Sequence, residues 1–361
     1  MINWWYTELG EPEKNKLLEA FSEKRMTLSR SVREVEELFA ALLHVPYTVM
    51  VNSGSSALLM ALLALDIQPG DEVIVPSLTW IATAQAPGIL HAKVKLCDCT
   101  STAPIIDLGQ LEKIVSAKTK VIIPVHLNGR ECDMEAIQKI ASRFGTRIIE
   151  DACKAMFSKG KNGFLGTIGD LGCYSLGMIS LVSVGYGGLV VTRSKEIYEK
   201  LKKIRDHGVQ RTPESYPYLG FNFKISDLLA SLAIPQLQNL EKRAQSSVAL
   251  HDYYSQSLKH PDISILPIDK KSGKVPVYAE AYSERREDVI FYLQEKGIQT
   301  SRYHLPIHHA HYLRADGFFP NADRFARNSF ILPSGPSQKI EDISFVVETL
   351  NQFACSCGAN A

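Results

Sequence analysis

The apolar run "RIIEDACKA" ends in two adjacent carboxylates, Glu150 and Asp151, with Lys154 three residues beyond the second. A buried aspartate at the carboxyl end of a strand can hold a proton on a heterocyclic nitrogen and keep a flat ligand cationic. A helix N-cap or a structural ion pair would use the same residues. A second block, "YTVMVNSGSSALLMALL", leads a strand-like run into Ser53, Gly54, Ser55 and Ser56 at the turn that opens a helix. Unpaired N–H groups, small hydroxyls and the positive end of the helix dipole suit a phosphate there, and an ordinary serine N-cap has the same spelling. Trp80, in "SLTWIATA", follows another strand end, where its ring can stack on a flat ligand or fill a core. His126, in "VHLNG", is either a polar pocket residue or a satisfied turn histidine. The segment "RYHLPIHHAHY" gathers His304, His308, His309 and His311 without carboxylates at ligand spacing, so a loop lining a cleft is expected there in preference to a metal site.

These residues need elements to position them. From about residue 47 to 206, short β-branched runs alternate with helical patterns: "YTVMVN" then "SALLMALLAL", "DEVIVPS" then "IATAQAPGIL", "KVIIPVH" then "DMEAIQKIASRF", and "GLVVT" then "KEIYEKLKKIRDHG". Such alternation predicts an α/β fold with a mostly parallel sheet covered on both faces, and a ligand at the carboxyl ends of its strands. One long amphipathic helix is expected over "FNFKISDLLASLAIPQLQNLEKRAQ". Beyond it the pattern changes, giving a large domain over 1–240 and a small α+β domain over 241–361, with the first forty residues draped beside the small domain or across a partner.

Composition bounds the function. The chain has 361 residues, 45% of them hydrophobic, and 40 basic against 39 acidic side chains leave a net charge of +1, so no nucleic-acid track is expected. The longest apolar runs are too short to span a bilayer, and the acidic N-terminus does not read as a signal peptide, which predicts a cytoplasmic protein with no membrane partner. Seven cysteines, most in or beside strand-like runs, read as reduced buried thiols.

Taken in order, "VNSGSSAL", "GDEVIVPSLTWIATA", "IIPVHLNG", "IIEDAC", "GDLGCYS", "GYGGLVVT", "IRDHG", "LGFNFKISD" and "ILPSGP" resemble the DegT/StrS family of sugar aminotransferases over nearly the whole chain. The resemblance implies the fold type I architecture of pyridoxal phosphate enzymes. It also implies that Gly54, Ser55, Ser56 and Ser175 hold the cofactor phosphate, that Trp80 stacks on the pyridine ring and that Asp151 pairs with the ring nitrogen. Asn222 would reach the phosphate of a neighbouring subunit, which implies a homodimer. A nucleotide-linked sugar would enter along His126 and the "RYHLPIHH" loop.

The stretch "CYSLGMISLVSVGYGG", residues 173–188, departs from the family's pattern and contains no Lys, His, Asp or Glu. Ser180 stands where the family has its catalytic lysine, Gly177 where it has a histidine and Tyr186 where it has a glutamate. Lys154 replaces the usual glutamine or histidine, and Lys224 the later arginine. A serine hydroxyl forms no imine and is a poor base near neutral pH, a loss worth roughly 10²- to 10⁴-fold in rate for proton transfer alone. The cofactor, pyridoxal or pyridoxamine phosphate, is therefore expected to bind non-covalently, with Ser180, Lys154 and His126 as the candidate catalytic positions. Three readings remain open: a sugar aminotransferase in which Lys154 or a solvent-linked group replaces the lysine, a dehydratase-like enzyme using pyridoxamine phosphate, and a non-catalytic binding or regulatory protein.

Overall fold

Seven strands form the central sheet of the computed structural model, in the spatial order 47–51, 188–192, 171–175, 147–151, 119–122, 72–76, 93–97. The five from 171–175 to 93–97 run parallel, and 188–192 and 47–51 close one edge antiparallel. The structure describes residues 1–313 and 316–354; Cys355 and Cys357 lie outside the described residues. The cysteines Cys97, Cys99, Cys132, Cys153 and Cys173 are free thiols.

The sheet is a two-sided core, because the strands are apolar on both faces and helices cover each. Val49, Val51, Val73, Val75 and Ile149 pack against the helix Gly54–Ala64 on one side, while Met50, Tyr174 and Leu189 pack against the helices Arg30–Leu43 and Asp227–Gln238 on the other. Alternate side chains of each strand point to opposite faces. That alternation separates Glu150 from Asp151, a separation on which the site depends.

The long helix expected over 221–245 is two helices, Asp227–Gln238 and Leu240–Ser257, meeting at Asn239. Pro235 inside the first lacks an N–H and crowds the preceding turn. Its carbonyl accepts from both the backbone and the side-chain amide of Asn239, which ends the first helix.

A second, four-stranded sheet, ordered 264–265, 280–282, 329–331, 301–302, is antiparallel and falls within residues 241–361. The helices Arg286–Glu295 and Ile340–Asn351 pack on it through Val289, Leu293, Val346 and Leu350. Of the first forty residues, expected beside the small C-terminal unit or across a partner, only the start reaches this sheet, through bridges from Ile2 to Ile298 and from Trp5 to Ser334. The helices Glu11–Ser22 and Arg30–Leu43 pack instead on Asp227–Gln238, because their apolar faces complete the core on that side of the central sheet.

Candidate functional site

A cavity of about 300 Å³ opens at the carboxyl ends of the parallel strands. Each wall is the segment that follows a strand: Ser53–Ser55 after Val51, Thr79 and Trp80 after Pro76, Cys153 and Lys154 after Asp151, and Gly177–Ile179 after Ser175.

The floor is a helix start. Ser53 caps the helix Gly54–Ala64, its Oγ accepting from the Ser56 N–H at 3.0 Å and donating to Ser56 Oγ at 2.9 Å. The N-cap reading therefore holds for Ser53, and Ser56 is turned to Ser53 and does not line the cavity. Gly54 and Ser55 do line it, with first-turn N–H groups that have no intrahelical acceptor. A Cβ on Gly54 would lie 3.0 Å from Ser175 Cβ and 3.1 Å from Cys153 Sγ, so only glycine lets three wall segments close this tightly. Gly188 is required for the same reason, since a Cβ there would sit 2.4 Å from the Ser53 carbonyl.

Asp151 enters from the sheet side and is buried. Thr83 donates to its Oδ2 at 2.8 Å, and the Cys153 N–H to its Oδ1 at 3.1 Å. Thr83 in turn lies 3.2 Å from Thr79 Oγ1. Both carboxylate oxygens thus have fixed partners, so the group is oriented before any ligand arrives. Thr79 and Thr83 went unread in the sequence, where "TWIATA" offered only the tryptophan.

Glu150 points the other way. Its Oε1 accepts from Ile168 N and Gly169 N, each at 2.6 Å, and its Oε2 accepts from Gly166 N at 2.9 Å and from His126 Nε2 at 2.8 Å. Neither Glu150 nor His126 is exposed to solvent. Burial opposes a charge on His126, while Cys132 and Glu150 favour one. The Cys132 N–H reaches Nδ1 at 3.2 Å and leaves room for one ring proton, on Nε2. The structure places His126 behind the cavity, as a neutral donor to Glu150, and not in the cleft where a reacting group would stand.

Lys154 lines the cavity, and its ammonium donates to the carbonyl of Ile179, the residue before Ser180. Burial pushes its amine down to about 8, against the pull of Cys153 and Asp151 toward the charged form. His304, from the histidine-rich loop, faces the same space, and burial, reinforced by the Lys154 cation, lowers its imidazole to about 4, so it is neutral at pH 7. Trp80 is 61% exposed at the rim, its ring edge-on to His304 with centroids 6.0 Å apart. Ser175 lines the cavity, its Oγ accepting from Gly177 N at 3.1 Å.

Ser180 does not line the cavity. It is 3% exposed and its Oγ has no hydrogen-bond partner among the described residues, while its neighbours Met178 and Ile179 face the cavity. Asn222 is exposed and does not line the cavity: among the described residues only its backbone is engaged, accepting from Asn52 Nδ2 at 3.3 Å and bridging Asp206. Of the sequence-selected residues, the fold therefore brings together Gly54, Ser55, Trp80, Asp151, Lys154 and Ser175, and leaves Ser56, His126, Ser180 and Asn222 outside the cavity wall.

The profile of the DegT/DnrJ/EryC1/StrS aminotransferase family matches residues 7–351. The chain belongs to this family. Among its relatives are a pleiotropic regulatory protein of Geobacillus stearothermophilus, 32% identical over 95% of either chain. The dTDP-3-amino-3,4,6-trideoxy-alpha-D-glucose transaminase of Streptomyces venezuelae is 30% identical over 97% of this chain and 94% of its own. The crystal structure of S. venezuelae DesV in complex with a ketimine intermediate superposes with a TM-score of 0.91 at 29% identity, covering 97% of each chain. The fold is accordingly that of the sugar aminotransferases in this DegT/DnrJ/EryC1/StrS family. No helix among the described residues is long and apolar enough to cross a membrane.

Proposed function

We propose that this chain binds pyridoxal or pyridoxamine phosphate without a covalent link and acts on a nucleotide-linked sugar, with Lys154 as the group that moves the proton. The cofactor supplies the electron sink that amine chemistry at a sugar carbon requires. The observation that carries the reading is the pairing of an oriented carboxylate, Asp151 with Thr83 behind it, and a helix-start anion seat at Gly54 and Ser55 across one cavity. An anion seat and a carboxylate at opposite ends of a flat slot suit a ligand with a phosphate at one end and a basic ring nitrogen at the other.

Lys154 is the only lysine on the cavity wall among the described residues, and burial brings it close to neutrality, where a base both exists in its free form and retains proton affinity. Its bond to the Ile179 carbonyl sets the amine beside the loop that carries Ser180. Ser180 has no such access. His304, neutral at pH 7 and on the same wall, is available to accept a hydrogen bond from substrate or donate one to it.

Titration of wild type and a Ser55→Ala/Ser175→Ala double variant with pyridoxal phosphate tests the cavity assignment: affinity should fall clearly in the double variant, and equal affinity removes the assignment. Borohydride treatment of the loaded protein, followed by peptide mapping, tests the linkage. No specific lysine adduct is expected; a label confined to Lys154 and absent from Lys154→Ala would replace the non-covalent reading by a covalent one. The homodimer implied for Asn222 belongs to the same proposal: its exposed side chain is free to reach a second copy, and a stable monomer in dilute sedimentation runs would exclude that role. A non-catalytic reading is favoured by one observation, the burial of Ser180 away from the cavity, and fits the name of the Geobacillus relative. Conversion of bound pyridoxal phosphate to the amine form by an amino-acid donor, followed by absorbance, separates the two.

A further inference from the structure

Two imidazoles and a carboxylate converge where the histidine-rich loop meets the helix Pro320–Asn328. Asp323 Oδ1 lies 3.0 Å from His309 Nε2 and 3.2 Å from His308 Nε2, and the three ligand-type atoms fall within 4.8 Å of one another. We propose that His308, His309 and Asp323 form a binding site for one divalent metal ion of the zinc type, separate from the cofactor cavity.

A tetrahedral zinc ion holds nitrogen and oxygen ligands at about 2.0–2.2 Å, which spaces the ligands roughly 3.3–3.5 Å from each other. Two edges of that triangle are already close to this length. The third runs between the two imidazole nitrogens, which lie within 4.8 Å of one another, and a turn of the half-exposed His309 ring would shorten it. Two neutral nitrogens and one carboxylate oxygen make a donor set of intermediate softness, suited to zinc or cobalt(II) and poorly suited to magnesium or calcium.

The surroundings supply the support that a metal-binding histidine needs. Ser77 Oγ lies 2.6 Å from His308 Nδ1, and Ser77 has no solvent exposure. With the proton on Nδ1 and donated to Ser77, Nε2 is left with its lone pair toward Asp323. The charges nearby are mixed. Arg286 and Arg302 approach the same cleft but are both tied to Glu287, and Arg327 is exposed. Asp98 adds a second carboxylate at the start of the same helix, held by the N–H groups of Asn321 and Ala322. His309 is half exposed at its side chain, leaving a path for the ion and an open fourth position for water.

The consequence would be mechanical. An ion here ties the loop that carries His304, on the cavity wall, to a helix of the small domain. The sequence concealed the site because its carboxylate lies fourteen residues beyond His309 and is brought back by the turn into that helix.

The test is calorimetric titration of the full chain with zinc chloride in a weakly chelating buffer, repeated with cobalt(II) and read by visible absorption. One zinc per chain and the visible bands of four-coordinate cobalt are expected. His309→Ala and Asp323→Asn should each lose both signals, and Ser77→Ala should weaken zinc by roughly 10- to 100-fold. His311→Ala, an exposed histidine outside the cluster, should leave them unchanged. Zinc should also raise the melting temperature of the wild type and not that of His309→Ala. No stoichiometric binding by the wild type, or binding undiminished in His309→Ala, overturns the proposal. None of these readouts requires the cofactor.

Discussion

Glu150 and Asp151 are neighbours in sequence and opposites in use. Glu150 turns to the back of the sheet, where three backbone N–H groups and His126 surround a carboxylate that no solvent reaches. Asp151 turns to the front, where one hydroxyl and one N–H orient it and the rest of its surroundings is cavity. A carboxylate whose four acceptor positions are filled by the protein is a structural hub; one with capacity left facing a slot is available to a ligand. The same contrast separates Ser180, buried with an unpaired hydroxyl, from Lys154, whose amine faces the slot.

The largest effect should come from the back. Glu150→Ala strands several buried donors at once, and we expect a loss of about 3–5 kcal/mol or more in urea unfolding. A loss under 1 kcal/mol would contradict the assignment of Glu150 as a hub.

At the front, Asp151→Asn should leave the urea midpoint nearly unchanged, because the amide oxygen can accept from the Cys153 N–H while its NH2 donates to Thr83 Oγ1, whose own proton turns to Thr79. Pyridoxal phosphate affinity should fall roughly 10- to 100-fold, the worth of a charge-assisted hydrogen bond. If stability falls and affinity does not, the front and back roles are reversed.

Lys154 sharpens the contrast through pH. Its amine titrates near 8 in the folded chain, below the ordinary 10.5, so between those values the unfolded chain binds a proton that the folded chain does not. Stability from this group therefore rises with pH from about 8 to 10.5 and is absent below. Lys154→Met should be more stable than wild type by about 1–3 kcal/mol at pH 7, with the gap closing toward pH 10. A gap independent of pH across that window would show that the amine is not desolvated.

The smallest effect is expected at Ser180. Removing a buried hydroxyl that has no partner should cost nothing and gain up to about 1 kcal/mol in Ser180→Ala, with cofactor affinity unchanged. Weaker cofactor binding in that variant would return Ser180 to the site.

Much of the architecture was legible along the chain, since alternation of apolar runs and helical periods reflects burial, and burial of a sheet covered on both faces leaves a local signature. The break at Asn239 was less visible, because a proline in an otherwise helical pattern kinks or ends a helix depending on what packs around it. The small sheet was partly missed: strands of two or three residues such as Ser301–Arg302 carry too little periodicity to read.

The residue types at the site were set locally. A serine-glycine turn after a strand and an acidic pair at a strand end are consequences of backbone geometry that neighbours in sequence can express. Which of the acidic pair faces a ligand was decided by the pleat, and which face of the sheet is the cavity by the helices laid over it. His126 became a partner of Glu150, and Asp323 a partner of His308 and His309, through crossings that join residues far apart in the chain. Long-range convergence of this kind leaves no period or spacing in the sequence, because it depends on how separate elements pack and not on the order of residues within any one of them.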